Sequence, residues 1–145
     1  QPFDLALVVP PHVRSPLLRH LPGDGPLVNV SPQFESEEPG LFVIGDAAKT
    51  PFPRAAGAAT AQGKTAADAI LARLGLIEPA PPHAPEPECY VGHGGNVFSK
   101  IAMRYPNGLP PNAKPEVYLD APSTTLADGF AAAFETWKKQ RYRSQ

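Results

Sequence analysis

The sequence predicts an α/β fold in which buried parallel strands and a helix precede a small α+β region. Two short apolar runs, FDLALVV at 3–9 and LFVI at 41–44, are typical of strands buried on both faces of a parallel sheet. An alanine- and glycine-rich segment at 54–74 follows the second run and has the composition of a helix. A proline-rich stretch at 78–88 then separates this part from a pattern of strands and a terminal helix.

Composition excludes several classes of protein. The chain has 145 residues, which suffice for one domain with a core or for a piece of a larger one. Its net charge of −1 gives no reason to expect nucleic acid as the main partner. The apolar runs are far too short to span a bilayer. The single cysteine, Cys89, excludes an intramolecular disulfide and leaves the redox compartment open. Because the chain starts without methionine and almost directly in an apolar run, we expect a fragment whose first part is absent.

Proline and glycine mark the boundaries of the predicted elements in the first part, at 1–77. VRSPLLRHL predicts a helical turn, and PLVNVSPQFESEEPG predicts a short strand followed by a polar excursion. The helix is expected from about Arg54 to Leu74, because Pro53 is tolerated at a helix start and Gly75 stands where a C-terminal glycine cap belongs. We divide the chain at residue 77, where this part ends.

EPAPPHAPEPE at 78–88 cannot form a regular hydrogen-bond ladder and is either a stiff extended linker or a surface strap. The second part of the chain, at 89–145, follows it. VFSKIAMRY at 97–105 has the alternation of a half-buried strand. PNG supplies a turn, and EVYL at 116–119 supplies a second strand of a β-hairpin. Ser123 is the expected cap of a terminal helix. That helix places four apolar residues on one side: Leu126, Phe130, Phe134 and Trp137.

The Gly-Asp pair after the second apolar run carries the clearest chemical signal. Gly45 lets the backbone approach a ligand at the end of a strand, and Asp46 offers a carboxylate to hydroxyl groups there. Small residues on the following helix admit a flat ring, and the helix N-terminus stabilises negative charge. This pattern is typical of half a flavin site. The alternative is a turn followed by an alanine-rich helix that only packs against the core, and it explains the same residues equally well.

Three segments, VVPPHV, VNVSPQFESEEPGLFVIGDAA and PFPRAAGAATAQGKTAADAI, occur in that order. Together they resemble the C-terminal half of the Rossmann-like FAD-binding domain of two-dinucleotide-domain flavoprotein disulfide reductases. The likeness is greatest to sulfide:quinone oxidoreductases and to the flavoprotein subunit of flavocytochrome c sulfide dehydrogenase. The resemblance implies that Asp46 hydrogen-bonds the ribityl chain of FAD and that 54–62 meets the pyrimidine edge of the flavin. It therefore implies a set of FAD-binding residues: Gly45, Asp46, Arg54, Ala55, Ala56, Gly57 and Gln62.

The resemblance is incomplete at the helix start. Sulfide-oxidising members of the family tend to have Pro-Lys-Ser/Thr-Gly there, whereas PRAAG retains a cation at Arg54, lacks the hydroxyl and shifts the glycine. This difference is expected to change the flavin potential or the electron acceptor.

The region after the prolines extends the resemblance. ECYVGHGGNVFSKIAMRY resembles the Cys-Tyr segment of flavocytochrome c sulfide dehydrogenase flavoproteins, and LADGFAAAFETWKK resembles their closing aromatic helix. The likeness implies that Cys89 is one of two redox cysteines facing the flavin. Sulfide would attack their disulfide, leaving a persulfide on one cysteine and a thiolate on the other. A small buried hydrophobe is the alternative role for Cys89. Gly92, Gly94 and Gly95 predict a loop, so His93 is interpreted as a solvated loop residue and not as a partner of Cys89.

The sequence also lacks the Gly-x-Gly-x-x-Gly that binds pyrophosphate, so FAD binding is expected to require a missing N-terminal half. By resemblance, the electron acceptor is a cytochrome c subunit or a quinone, and the location is periplasmic, cytoplasmic or peripheral to a membrane. Two alternatives stay open: an NAD(P)H-dependent flavin reductase, and a non-catalytic module whose C-terminal helix forms a dimer interface. The scattered His12, His20 and His83 predict no metal site.

Overall fold

The computed structural model describes residues 12–106, 109 and 114–142. In these residues the regular elements are α1 (Ala56–Arg73), β1 (Glu88–Gly94), β2 (Val97–Arg104), β3 (Glu116–Ser123) and α2 (Leu126–Arg141). Two short 3₁₀ turns, Pro16–Leu18 and Gly45–Ala47, precede them, and the first is the helical turn that the sequence predicts. The strand predicted at 3–9 lies outside the described residues.

The predicted buried strand at 41–44 is wrong, because this segment makes only an isolated antiparallel bridge between Phe42 and Glu35. The short strand predicted before it is likewise reduced to one parallel bridge, between Val28 and Ala48. At Val28 the pairing is limited to two backbone bonds, in which its amide donates to Ala47 and its carbonyl accepts from Lys49, and no ladder continues from them in the described residues. A small apolar cluster nevertheless forms where they meet: Leu21, Val28, Val43 and Ala48. A Rossmann-like sheet is therefore not established for this part of the chain.

Helix α1 is confirmed, and it begins two residues later than predicted. Its C-terminus has the predicted glycine cap, with Gly75 at a φ of 72°. The amide of Gly75 donates to the carbonyl of Ala72 at 2.9 Å, and the amide of Leu76 donates to the carbonyl of Leu71 at 3.0 Å. This pair of bonds is the Schellman arrangement, which satisfies carbonyls that a helix end leaves open.

The proline-rich segment lies against α1 as a surface strap. The amide of His83 donates to Thr65 Oγ1 at 2.9 Å, and the ring of His83 pairs with Asp68 at 2.7 Å. Pro87, at the end of the strap, is buried and closely approaches Gly57 near the start of α1. Of the two sequence interpretations, the structure therefore favours the strap.

The second part of the chain is the predicted α+β region, built on a three-stranded antiparallel sheet in the order β1-β2-β3. The predicted pairing of the two strands is confirmed, because β2 pairs with β3 as far as Ser123. The turn predicted at PNG falls partly on residues 107–108, outside the described residues. The loop predicted around Gly92 is wrong, because β1 pairs with β2 from Glu88 to Gly94. Gly94 and Gly95 serve at the turn between the strands, where both have positive φ. The chain therefore leaves the strand at Gly94 and Gly95, and not at Gly92 as predicted.

Helix α2 covers one face of this sheet through aromatic contacts. The ring of Phe130 stacks on Phe98 at 4.8 Å between centroids and meets Tyr90 at 5.8 Å. The predicted cap at Ser123 is wrong: Ser123 ends β3, and Thr125 occupies the N-cap position. Ser123 Oγ instead accepts a hydrogen bond from the amide of Thr125 at 3.1 Å, which shapes the turn into the helix.

Candidate functional site

The glycine of the Gly-Asp pair is held by a buried side chain of α1. Gly45 has a φ of 69°, a conformation that favours glycine, and its amide donates to Gln62 Oε1 at 2.6 Å. The side chain of Gln62 is almost enclosed, since the residue is only 3% exposed. Because the oxygen of Gln62 is engaged by Gly45, the Nε2 amide of Gln62 is the group that this side chain can offer as a donor.

A cleft of about 270 Å³ lies at this contact. Its lining comprises Leu27, Gly45, Ala48, Thr50, Phe52, Pro53, Arg54 and Gln62. The structure thus brings together three of the residues that the sequence predicts for the site, Gly45, Arg54 and Gln62. The adjoining start of α1 has Ala55 at its N-cap and no side-chain cap. Its first amides therefore add donors and partial positive charge at this end of the molecule.

Asp46 lies exposed in the 3₁₀ turn and lines a neighbouring cleft of about 200 Å³. Arg54 lines both clefts, so its guanidinium belongs to the surroundings of Asp46 as well as to those of Gln62. The two clefts therefore present one carboxylate and a larger set of donors at the N-terminal end of α1.

The other three predicted site residues have different surroundings. Ala55, Ala56 and Gly57 belong to the start of α1 and are not among the described residues that line the two clefts. A Cβ atom at Gly57 would stand 2.9 Å from Pro87 Cα. Pro87 of the strap therefore lies against Gly57 at a distance that a side chain at this position would not allow.

The sequence analysis missed Thr50 and Phe52 as cleft residues. Both belong to the TPFP segment between the Gly-Asp turn and α1, and the amide of Phe52 approaches Thr50 Oγ1 at 3.4 Å. The ring of Phe52 meets Tyr105 edge-on at 5.6 Å between centroids. The two flanking prolines were the available signal, because they fix the path of the loop that delivers these side chains.

Tyr105 is the one described residue whose buried polar side-chain atom lacks a hydrogen-bond partner. It is 7% exposed, and burial raises the pKa of its hydroxyl above the ordinary value. The hydroxyl of Tyr105 is therefore expected to stay protonated at neutral pH.

Cys89 lies in β1 opposite Ile101 and is exposed. Its neighbour Tyr90 contacts α2, so the alternation of side chains along a strand places Cys89 on the opposite face of the sheet. Cys89 is not among the residues that line the two clefts, so the structure does not bring it together with Gly45 and Asp46.

The face that contains Cys89, which we call the open face, carries no aspartate, glutamate, lysine or arginine in the described strands, and His93 reaches Ser99 on it. Its residues, by strand register, are Cys89, Val91, Val97, Ser99, Ile101, Met103, Val117, Leu119 and Ala121. Leu119 is 71% exposed and Val117 is 60% exposed. The charged pairs Lys100–Asp120 and Arg104–Glu88 lie on the other face, on the same side as α2. This distribution reverses the usual one, in which the solvated face of an antiparallel sheet is polar.

His93 is a strand residue, so its interpretation as a loop histidine is wrong. Its Nε2 atom is 2.9 Å from Ser99 Oγ on the neighbouring strand. Four residues of extended chain separate it from Cys89, which corresponds to about 13 Å. His93 therefore contacts Ser99 and not the thiol of Cys89.

Neither a metal cluster nor a membrane-spanning helix is found in the part of the chain that the structure describes. No three histidine, cysteine or acidic residues there are grouped to hold a metal ion. No described helix has the length and apolar character needed to cross a membrane. His20 and His83 each pair with one carboxylate, Glu38 at 3.1 Å and Asp68 at 2.7 Å.

Comparison with known proteins gives no family for this chain. No protein-family model matches it, and a search of curated proteins found no significant match.

Proposed function

We propose that this chain is the C-terminal portion of an FAD-dependent oxidoreductase that oxidises sulfide or a related sulfur species. Its electrons would pass through the flavin to a cytochrome c or a quinone. The observation that carries the proposal is the hydrogen bond from Gly45 to the buried Gln62, which fixes the Gly-Asp turn on the first turns of α1. The order of segments around this turn is also the one in which the sequence resembles sulfide-oxidising flavoproteins.

The lining of the cleft fits one edge of a flavin. Gln62 Nε2 and the guanidinium of Arg54 are donors, and no carboxylate is among the described residues that line the cleft with them. They would bind the carbonyl and nitrogen acceptors of the pyrimidine edge, and Asp46 would accept hydrogen bonds from ribityl hydroxyls. At about 270 Å³ the cleft is small. FAD would therefore need further binding surface from a Gly-rich half that this sequence does not contain.

Cys89 supplies the sulfur chemistry in this proposal. The thiol is exposed on the open face, and its redox partner would be a second cysteine outside this chain. Attack of sulfide on their disulfide forms one S–S bond and breaks another, which leaves a persulfide and a thiolate. Bound FAD supplies the acceptor for the electron pair. The uncharged open face would pack against the flavin-bearing half and so bring Cys89 to the flavin.

A second candidate is a non-catalytic subunit-interface module. It is favoured by the half-exposed aromatic side chains of α2, because Phe134 is 47% exposed and Trp137 is 43% exposed. Large exposed apolar surfaces mark interaction sites. In this case the protein that contains the chain would bind its partner without binding flavin.

The test is an anaerobic titration of the full-length flavoprotein that contains this chain, with sulfide and separately with NADH. The wild type is compared with Cys89→Ser and with Val91→Ser, a matched variant on the same strand and the same face. We expect sulfide to bleach the flavin absorbance of the wild type and of Val91→Ser but not that of Cys89→Ser. Equal reduction of all three proteins by NADH, with none by sulfide, would replace the proposal with a pyridine-nucleotide flavin reductase. A purified protein without flavin would support the interface module.

A further inference from the structure

A second and larger cavity, of about 560 Å³, lies beside the cleft. Its apolar walls include Pro32, Pro51 and Pro82 and the rings of Phe34 and Phe52. This volume is in the range of about 300 to 1,000 Å³ that small-molecule sites occupy. Proline side chains lose little conformational entropy when they are fixed, so three proline walls favour a site that exists before its ligand arrives. Apart from Phe52, none of these five residues belongs to the cleft.

Each polar side chain in the lining of this cavity can donate a hydrogen bond. These side chains are those of Ser31, Lys49 and Thr50, and no carboxylate is among the described lining residues. The ammonium of Lys49 is 3.6 Å from Asp24, and both side chains are at least half exposed, so this ion pair holds Lys49 weakly. Ser31 Oγ accepts from two backbone amides at 3.2 Å each, which leaves its hydrogen available for donation. One cation without a neighbouring acid in the lining favours an anionic ligand.

The backbone at Phe34 gives independent support for a ligand site. Phe34 has a φ of 67°, in the left-handed region that bulky side chains rarely adopt, yet it is 4% exposed. Two backbone hydrogen bonds hold it there: its amide donates to Ser31, and its carbonyl accepts from Val43, both at 2.9 Å. Such conformations cluster at ligand sites, where the surrounding structure imposes them. Here the conformation places an aromatic residue in the cavity wall.

We propose that this cavity binds a compact aromatic carboxylate, with its ring against the proline and phenylalanine walls and its carboxylate near Lys49. The aromatic walls select the ring, and the single cation with its two hydroxyl neighbours selects the acid. This site is separate from the FAD cleft, although Thr50 and Phe52 line both. It does not depend on the proposed redox function.

The test uses the full chain and two probes of matched shape, 2-naphthoate and the uncharged 2-naphthylmethanol, with binding measured by titration calorimetry. We expect saturable one-to-one binding of 2-naphthoate and at least tenfold weaker binding of the alcohol. Lys49→Met should weaken 2-naphthoate binding about tenfold and leave alcohol binding unchanged. Lys64→Met, which removes an exposed lysine of α1 outside the cavity, is the matched control and should bind like the wild type.

A second variant tests the location of the site. Pro51 is exposed at the cavity wall, so Pro51→Trp should fill the cavity while the fold, checked by circular dichroism, is retained. We expect this variant to lose 2-naphthoate binding. The proposal is overturned if the wild type shows no saturable binding at millimolar concentration, or if Pro51→Trp binds as the wild type does. Equal affinities for the acid and the alcohol, unchanged in Lys49→Met, would overturn the assignment of an anionic ligand.

Discussion

Substitution of Gly57 by alanine tests whether this glycine serves the strap or only the helix. The added Cβ would stand 2.9 Å from Pro87 Cα, a separation that real Cβ atoms essentially never show. Pro87 is buried, and the clash is with its backbone, so rotation of a side chain cannot relieve it. Helix propensity alone favours alanine over glycine by about 1 kcal/mol. Overpacking costs about 1–3 kcal/mol. We therefore expect a net loss in the free energy of unfolding of about 1 kcal/mol.

Gly63→Ala is the matched control in the same helix. Its Cβ would stand 3.5 Å from Ile44 Cδ1, which is ordinary van der Waals contact. We expect this variant to gain about 1 kcal/mol from helix propensity. Chemical unfolding with guanidinium chloride, followed by circular dichroism at the helical band, measures both variants against the wild type. The two substitutions should change stability in opposite directions, with a difference of about 2 kcal/mol.

A stabilising Gly57→Ala would refute this reasoning, because it would mean that Pro87 does not lie against the start of α1. Gly57 would then be available for the close approach of a flavin, as the sequence resemblance implies. A destabilised Gly57→Ala flavoprotein that still binds FAD with unchanged affinity would assign Gly57 to the strap alone. The measurement therefore separates a structural role of this glycine from a cofactor-binding role.

Two further substitutions test the contacts of the first part. Gln62→Leu should lower the free energy of unfolding by about 1–3 kcal/mol in urea, because it leaves the amide of Gly45 unpaired; unchanged stability would contradict the contact. Glu35 pairs with Arg73, which lowers the pKa of the carboxyl from 4.5 to about 2. Its stabilising contribution is therefore complete above pH 4.5 and lost as the pH falls towards 2. Stability measured against pH should fall less steeply in this window for Glu35→Gln, and identical slopes would refute the pairing.

The elements with strong local signals could be predicted from the sequence. Helix α1 is rich in alanine and ends at a glycine cap, and both signals act within a few turns of chain. The pairing of β2 and β3 is signalled by alternation in the first strand and by the short distance in sequence between the two strands. These signals do not depend on distant contacts. Both elements could therefore be predicted from their own segments, without knowledge of the rest of the chain.

Strand β1 could not be predicted, because its two glycines and its histidine have little intrinsic preference for extended structure. Its extended conformation is stabilised by pairing with β2, which is interrupted only by a shift of register between Gly92 and Gly94. The segment at 41–44 shows the opposite error. Its apolar residues favour a strand, but in the described residues they find only one bridging partner. In both cases the presence of a neighbouring strand, and not local composition, decides the outcome.

The candidate site was predicted in part for a similar reason. Gly45 and Gln62 are 17 residues apart in sequence, yet a glycine at a turn and a polar residue two turns into the next helix belong to one local unit. Such a unit can be anticipated from the sequence. The contact of Gly57 with Pro87 joins different parts of the chain and depends on where the strap lies. The role of Gly57 therefore follows from the tertiary structure alone.

The strand prediction for β2 is correct, but it does not reveal which face of the sheet is covered. Alternation along β2 correctly groups Ile101 and Met103 on one face and Lys100 and Arg104 on the other. A sequence pattern of this kind normally predicts that the apolar group faces the core. Here α2 lies over the charged face, where ion pairs neutralise Lys100 and Arg104, and the apolar face with Cys89 is left uncovered by it. Exposure of this apolar face to water is unfavourable, so its burial against a partner surface would be favourable. The proposed sulfur chemistry requires such a partner surface over Cys89, because the second cysteine and the flavin would lie on it.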